Sequence, residues 1–132
     1  GKQFIFMLKI YVYQKCDRCR QALRWLDVSG IHYDAMPIRT SPPSVEELRS
    51  MLFFLDGRRQ KLLNTTGKDY RVLNFKTILP DLSDEALFER LAENGNLIKR
   101  PFAIDEAFGL VGFKVDEWQH VFRQQGRLSS DE

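Results

Sequence analysis

The sequence predicts an α/β fold in which a four-stranded mixed sheet carries helices and is interrupted by a mostly helical insertion. A strand–helix–strand pattern opens the chain, a strand–strand–helix pattern closes it, and helix signals dominate between them. A length of 132 residues suits one domain spanning residues 1–132. We expect its core to comprise residues 7–37 and 98–125, with the insertion at 38–97.

The opening unit is predicted from an alternating strand and one apolar helix face. Residues Leu8 to Tyr13 alternate and are rich in Ile, Val and Tyr, which is typical of a strand. The face that follows has the spacing i, i+3, i+4, i+7 and consists of Cys19, Ala22, Leu23 and Leu26. Ser29-Gly30 ends this helix, and Ile31 to Met36 predicts a second strand. Strands joined in this way are expected to be parallel, with a right-handed crossover.

The middle of the chain shows helix starts and stops. Ser44 to Glu47 form a capping-box pattern for a helix that runs to about Leu55. Residues 58–79 are irregular, with short helical pieces expected among the turns. Another helix opens at Ser83 and closes at Asn94-Gly95.

The last part returns to β-type residues. Residues 102–104 and 110–112 flank Asp105 to Gly109, which predicts an antiparallel hairpin. The closing helix is expected to bury one side, formed by Val115, Trp118, Val121 and Phe122. This order of elements is that of a thioredoxin-like core.

Composition excludes several classes of protein. Lys and Arg number 20 against 18 for Asp and Glu, a net charge of +2, which argues against a disordered polyelectrolyte and against direct nucleic-acid binding. Two cysteines are too few for a secreted disulfide scaffold. No apolar run approaches the roughly 18 residues that a membrane span requires, and no signal peptide pattern is present. We therefore expect a cytoplasmic protein without membrane contact.

The two ends carry separate expectations. Met7 is a candidate natural start, which would leave Gly1 to Phe6 as residues added ahead of it. The polar tail Ser129 to Glu132 is expected to fray.

The two cysteines lie where the first strand becomes the first helix. Unpaired N–H groups and the dipole at a helix N-terminus favour an anion, so a thiol at Cys16 should lose its proton more easily. Lys15, Arg18 and Arg20 add positive charge nearby. Cys19 belongs to the apolar face and should be shielded, whereas Cys16 should be exposed. This asymmetry predicts that Cys16 attacks and that Cys19 resolves the adduct.

Two other interpretations of the cysteine pair compete with redox chemistry. A zinc site needs further ligands, but the chain has no other cysteine and His32 and His120 stand alone, so we expect no metal. Two inert buried thiols are the other alternative, since Cys is among the most buried residue types.

Arg100-Pro101 precedes the third predicted strand. Thioredoxin-like folds place a cis-proline there, facing the cysteine motif, and Pro101 holds that position. Arg100 would then lie near Cys16 as a clamp for an oxyanion or a carboxylate. The alternative is a surface pair, Lys99-Arg100, ahead of a trans proline.

Four segments resemble successive motifs of the arsenate reductase/Spx/YffB-like family. They are Tyr13 to Ala22, Leu63 to Tyr70, Glu93 to Pro101 and Leu110 to Phe113. The resemblance runs from about Met7 to Phe122 in the family's order, and it implies a thioredoxin-like core with a helical insert.

The resemblance also implies roles for single residues. Arsenate reductases of this family attack arsenate with the first cysteine, matched by Cys16, and hold the oxyanion with three arginines. Arg100 matches the arginine before the family proline, Asn64 occupies the position of the second arginine, and the third falls near Lys114. The arginines close enough in sequence to compensate are Arg58, Arg59 and Arg71.

The function expected from the resemblance is that of a thiol-dependent oxidoreductase without a bound cofactor. Cys16 would attack an oxidised or oxyanion substrate and Cys19 would resolve the disulfide. The substrate-binding residues would be Arg100, Pro101, Lys15, Arg20 and Asn64. Glutathione, glutaredoxin or thioredoxin would supply electrons. The alternative is an Spx-like redox-sensing regulator that binds the C-terminal domain of the RNA polymerase α subunit, and a third is a family member with vestigial thiols.

Overall fold

The computed structural model describes residues 7–128 and has four strands and six α-helices in that part of the chain. The predictions for Gly1 to Phe6 and for Ser129 to Glu132 concern residues outside the described part of the chain. The strands are β1 (Leu8–Val12), β2 (Tyr33–Pro37), β3 (Phe102–Ile104) and β4 (Gly109–Val111). The helices are α1 (Asp17–Val28), α2 (Val45–Phe54), α3 (Lys68–Val72), α4 (Phe75–Ile78), α5 (Asp84–Glu93) and α6 (Val115–Gln124). Three short 3₁₀ turns cover Arg59–Leu62, Leu79–Asp81 and Gly95–Leu97.

The predicted four-stranded mixed sheet is confirmed. Its order is β2-β1-β3-β4, with β1 and β2 parallel and the other two pairs antiparallel. Parallel pairing requires the crossover helix α1, whereas β3 and β4 are joined by the expected short hairpin. The C-terminal end of β1 and the N-terminal end of β3 therefore lie side by side, next to the start of α1.

The sheet separates two hydrophobic clusters, because alternate residues of each strand point to opposite faces. Leu8 and Ile10 of β1 pack on one face with α1 and α6, where Trp118 and Phe122 are buried. Tyr11 of β1 points to the other face, which the helices of the insertion cover. The insertion thus forms one layer of the fold.

Local sequence signals set the bounds of the helices. Ser44 and Glu47 form the predicted capping box of α2, with Ser44 Oγ accepting from the Glu47 N–H at 3.1 Å. The α1 helix ends at Val28, Ser29 caps its C-terminus, and Gly30 follows at a φ of 71°. None of the helices among residues 7–128 is long and apolar enough to cross a membrane.

Two sequence expectations are wrong in detail. The second strand begins at Tyr33 rather than at Ile31. Val115 is 44% exposed, although helical spacing placed it on the buried side of α6. Val115 is the first residue of that helix, and side chains lean toward the helix N-terminus, so it projects past the packed surface.

Candidate active site

Cys16 caps the N-terminus of α1, where the helix begins directly after it as predicted. Its backbone is extended, and its Sγ accepts a hydrogen bond from the Cys19 N–H at 3.3 Å. This bond satisfies one of the free N–H groups at the start of a helix. The sulfur is therefore held where the helix dipole favours negative charge. Cys16 is half-buried rather than exposed, yet it is more accessible than Cys19.

Cys19 lies one turn further on and is 1% exposed, as the apolar face predicts. Burial and, second to it, a hydrogen bond to the Cys16 sulfur raise the pKa of the Cys19 thiol to about 12, although a backbone hydrogen bond with Tyr13 and the charge of Arg100 act in the opposite direction. Cys19 is thus a neutral thiol at physiological pH, directed at Cys16. Both thiols are free.

Arg100 and Pro101 form the loop beside the cysteines, and the peptide bond between them is cis, as predicted. The Arg100 guanidinium lies 5.5 Å from the centroid of the Tyr13 ring, and its Nη2 donates to the Asn96 carbonyl at 3.1 Å. Its Nε is buried and, among the described residues, has no hydrogen-bond partner. The side chain is therefore held in place with one buried donor unused.

Asn64 lies in the same loop network as Arg100. Its Nδ2 donates to the Asn96 carbonyl at 3.2 Å, so the two side chains share one acceptor. Asp69 binds the Asn94 and Asn96 amides at 3.0 and 3.3 Å, and these bonds lower the pKa of Asp69. The segments Leu63 to Tyr70 and Glu93 to Pro101 thus meet next to the cysteine motif.

The two other predicted substrate-binding residues are both exposed. Arg20 donates to the Gln14 carbonyl at 2.8 Å and pairs with Asp17, so its charge is already compensated. It lines a cleft together with Cys19, separate from the cleft that Arg100 lines. Lys15 lies in the turn before Cys16 and lines neither cleft.

A second cleft of about 500 Å³ gathers positive charge next to the cysteine motif. We call it the basic cleft; its cationic residues are Arg18, Arg58, Lys61, Lys99, Arg100 and Lys114. Of the three arginines considered as compensating residues, Arg58 lines the cleft. Arg59 turns away to the Leu79 carbonyl and Asp84, and Arg71 is exposed on α3.

The sequence did not single out the residues that hold Arg100. Tyr13 receives two guanidinium groups, since Arg39 lies 5.0 Å from its ring centroid and donates to its hydroxyl at 3.0 Å. Asn96 supplies the carbonyl shared by Arg100 and Asn64. Tyr13 and Asn96 both lie inside segments that resemble motifs of the family, and this resemblance is the only feature of the sequence that points to them. Within residues 7–128, no group of three or more His, Cys, Asp or Glu side chains is arranged to hold a metal ion.

Comparison with known proteins identifies relatives across most of the chain. The model of the ArsC family matches residues 11–121. The uncharacterized protein YusI of Bacillus subtilis is 39% identical over 85% of this chain and 95% of its own length. The global transcriptional regulator Spx of Enterococcus faecalis is 33% identical over 84% of this chain and 83% of its own.

A solved structure agrees with this assignment. The structure of a possible arsenate reductase from Streptococcus mutans superposes with a TM-score of 0.79 at 34% identity, covering 87% of this chain and 99% of that one. The chain belongs to the ArsC family.

Proposed function

We propose that the protein is a thiol-dependent oxidoreductase that reduces disulfides through Cys16 and Cys19. The observation that carries the proposal is the pairing of a helix-capping Cys16 sulfur with Cys19, whose backbone N–H donates to that sulfur and whose side chain is buried. Cys16 lies at the helix N-terminus and is the more accessible of the two thiols, whereas burial raises the pKa of Cys19 and keeps it protonated. The two thiols therefore have different reactivity before any substrate binds.

The reaction balances as two thiol–disulfide exchanges. The Cys16 thiolate attacks one sulfur of a substrate disulfide, forms a mixed disulfide and releases the other half as a thiolate. Cys19 then loses its proton and attacks the Cys16 sulfur, which forms the Cys16–Cys19 disulfide and releases the second thiol. The substrate gains two electrons, and an external thiol donor such as glutathione, glutaredoxin or thioredoxin restores the protein.

Arg100 is proposed to orient an anionic group of the substrate beside Cys16. Its guanidinium is fixed by Tyr13 and Asn96, and a planar fork suits a carboxylate or an oxyanion. The amide of Asn64 replaces a second arginine and is engaged with the Asn96 carbonyl. These features favour a disulfide that carries a carboxylate over arsenate.

A reductase of this kind depends on a reducing thiol pool. We therefore propose the cytoplasm as its compartment and glutathione as the candidate reductant.

The proposal is tested by turnover of a small disulfide and of arsenate with glutathione or thioredoxin as donor. The chain has two cysteines, so each single-cysteine variant reports on one thiol. Cys16→Ser should abolish disulfide reduction, whereas Cys19→Ser should accumulate a mixed disulfide visible by mass spectrometry. Equal turnover by Cys16→Ser and wild type would contradict the proposal.

A second candidate function is redox-dependent regulation, which the 33% identity to Spx favours. In this case the cysteine pair would act as the sensor, and the partner would be the C-terminal domain of the RNA polymerase α subunit. Pull-down with oxidised and reduced protein distinguishes the two functions. Stoichiometric capture that depends on the redox state, without turnover, would favour the regulator.

A further inference from the structure

The basic cleft concentrates charge in a chain that is nearly neutral overall. Six cationic residues line it against one acidic residue, Glu117, although the net charge of the whole chain is +2. The ion pairs formed within residues 7–128 involve none of the six. Their charges are therefore available to an anionic partner.

The floor of this cleft is the edge of the sheet. Residues 109–113 line it without interruption, and β4 is the last strand in the order of the described sheet. Gly112 donates to the Pro101 carbonyl at 2.8 Å, and Leu110 faces Ala103 of β3. Alternation then directs the N–H and C=O groups of Gly109 and Val111 away from β3, toward the open side. Both residues are half-buried, so solvent reaches them.

We propose that this cleft binds an acidic, extended polypeptide segment, which adds to β4 as a fifth strand. Its main chain would pair with Gly109 and Val111, and its carboxylates would meet Arg58 and Lys61 on one rim and Lys114 on the other. The proposal goes beyond the thiol chemistry and does not depend on the reactivity of Cys16.

The position of the basic cleft sets the direction in which a bound segment would run. Arg18 belongs to the cysteine motif and Arg100 to the proline loop, and both line the basic cleft. A bound segment would therefore run from β4 toward the cysteines. A polypeptide is favoured over nucleic acid because the floor offers the outward N–H and C=O groups of a strand edge, which only another peptide backbone can pair in register. Phe54 and Phe113 also line the cleft, and base stacking on them is the outcome that the oligonucleotide arm of the test detects.

The test measures binding by fluorescence anisotropy with labelled peptides of about ten residues, the upper length of a typical strand. One peptide alternates Glu and Val, a second alternates Lys and Val, and a third is the Glu peptide with alternate amides N-methylated. A single-stranded oligonucleotide serves as the anionic competitor without an amide backbone. Cys16→Ser protein is measured beside wild type so that binding is separated from thiol exchange.

The expected pattern follows from the two parts of the cleft. The Glu peptide binds and the Lys peptide does not, with affinity falling as salt is raised. N-methylation weakens binding by about tenfold because it removes the strand-edge hydrogen bonds. Cys16→Ser binds as wild type does.

Variants locate the binding surface. The double variant Lys61→Glu/Lys114→Glu should weaken the Glu peptide by about tenfold, while Lys68→Glu/Lys76→Glu, on exposed positions of α3 and α4, should not. Val111→Pro removes one outward N–H and is compatible with an edge strand. If Val111→Pro does not fold, the N-methylated peptide still tests the same hydrogen bonds.

Three results would overturn the inference. These are failure of the Glu peptide to bind, equal binding of its N-methylated form, and tighter binding of the oligonucleotide at the same salt concentration. Loss of disulfide turnover with peptide binding intact would instead count against the proposed function alone.

Discussion

The loop that carries Arg100 depends on a close approach at Gly95, and Gly95→Ala should disrupt it. A Cβ at Gly95 would lie 1.8 Å from the Ile38 carbonyl oxygen and 2.8 Å from its carbon. Real Cβ atoms stay beyond 3.0 Å, so one of the two segments must move by more than an ångström. Ile38 cannot yield easily, because it is fully buried and its N–H bonds to the Val12 carbonyl at 2.9 Å.

The cost of Gly95→Ala follows from this contact. Adding a methyl group to a packed region costs about 1–3 kcal/mol of stability. We place Gly95→Ala at the upper end of this range, because its Cβ would collide with the Ile38 backbone, which is hydrogen-bonded to β1. We expect the free energy of unfolding to fall by about 3 kcal/mol, which lowers Tm by roughly 10 °C in a chain of this size. Displacement of the neighbouring Asn96 carbonyl should also release Arg100 and lower kcat/KM.

The assay is urea unfolding followed by circular dichroism, with Gly67→Ala as the matched control. A Cβ at Gly67 would lie 2.6 Å from Asn64 Nδ2, the far end of a side chain that can rotate by giving up its hydrogen bond to the Asn96 carbonyl, so its cost should stay at about 1 kcal/mol. The midpoint should shift without a change in m-value. If Gly95→Ala is no less stable than Gly67→Ala, the account of this loop is wrong.

Three further predictions concern the site and its frame. Arg100→Lys keeps the charge but loses the planar fork over Tyr13, so kcat/KM for a carboxylate-bearing disulfide should fall about tenfold with Tm unchanged; unchanged kinetics would contradict it. Because burial raises the pKa of Cys19 in the folded state, the neutral thiol stabilises the fold fully below about pH 9, where an unfolded thiol is also protonated. This stabilisation is lost as the pH rises from about 9 toward about 12. The stability of wild type should therefore fall by about 1.4 kcal/mol per pH unit in that window relative to Cys19→Ala, and parallel curves would refute this. Asp105→Ala should lose about 2 kcal/mol in urea unfolding, because the buried carboxylate accepts from Arg127 at 3.0 Å and from the Ala107 N–H at 3.2 Å; a loss below about 0.5 kcal/mol would exclude that role.

Local signals in the sequence were enough to predict the architecture. The capping box at Ser44, the glycine after α1 and the alternation of β1 each act within a few residues, so they can be interpreted without knowledge of the fold. The cis bond at Pro101 and the burial of Cys19 were likewise predicted from position.

Contacts between distant segments could not be predicted in this way. Arg58 and Arg59 are adjacent in sequence and chemically identical, yet one lines the basic cleft and the other binds the Leu79 carbonyl. No spacing rule distinguishes them, because the direction of each side chain depends on what packs beside the 3₁₀ turn. The same holds for Tyr13 and Asn96, which gain their roles only when Arg100 is brought to them.

The proposed chemistry requires Cys16 to be the reactive sulfur and Cys19 to be protected by burial. It is tested most directly by limited iodoacetamide alkylation of the reduced protein at neutral pH, followed by peptide mapping. We expect rapid labelling of Cys16, with Cys19 unlabelled until the protein is unfolded. Slow labelling of both thiols, and only as the pH approaches about 9, would contradict it.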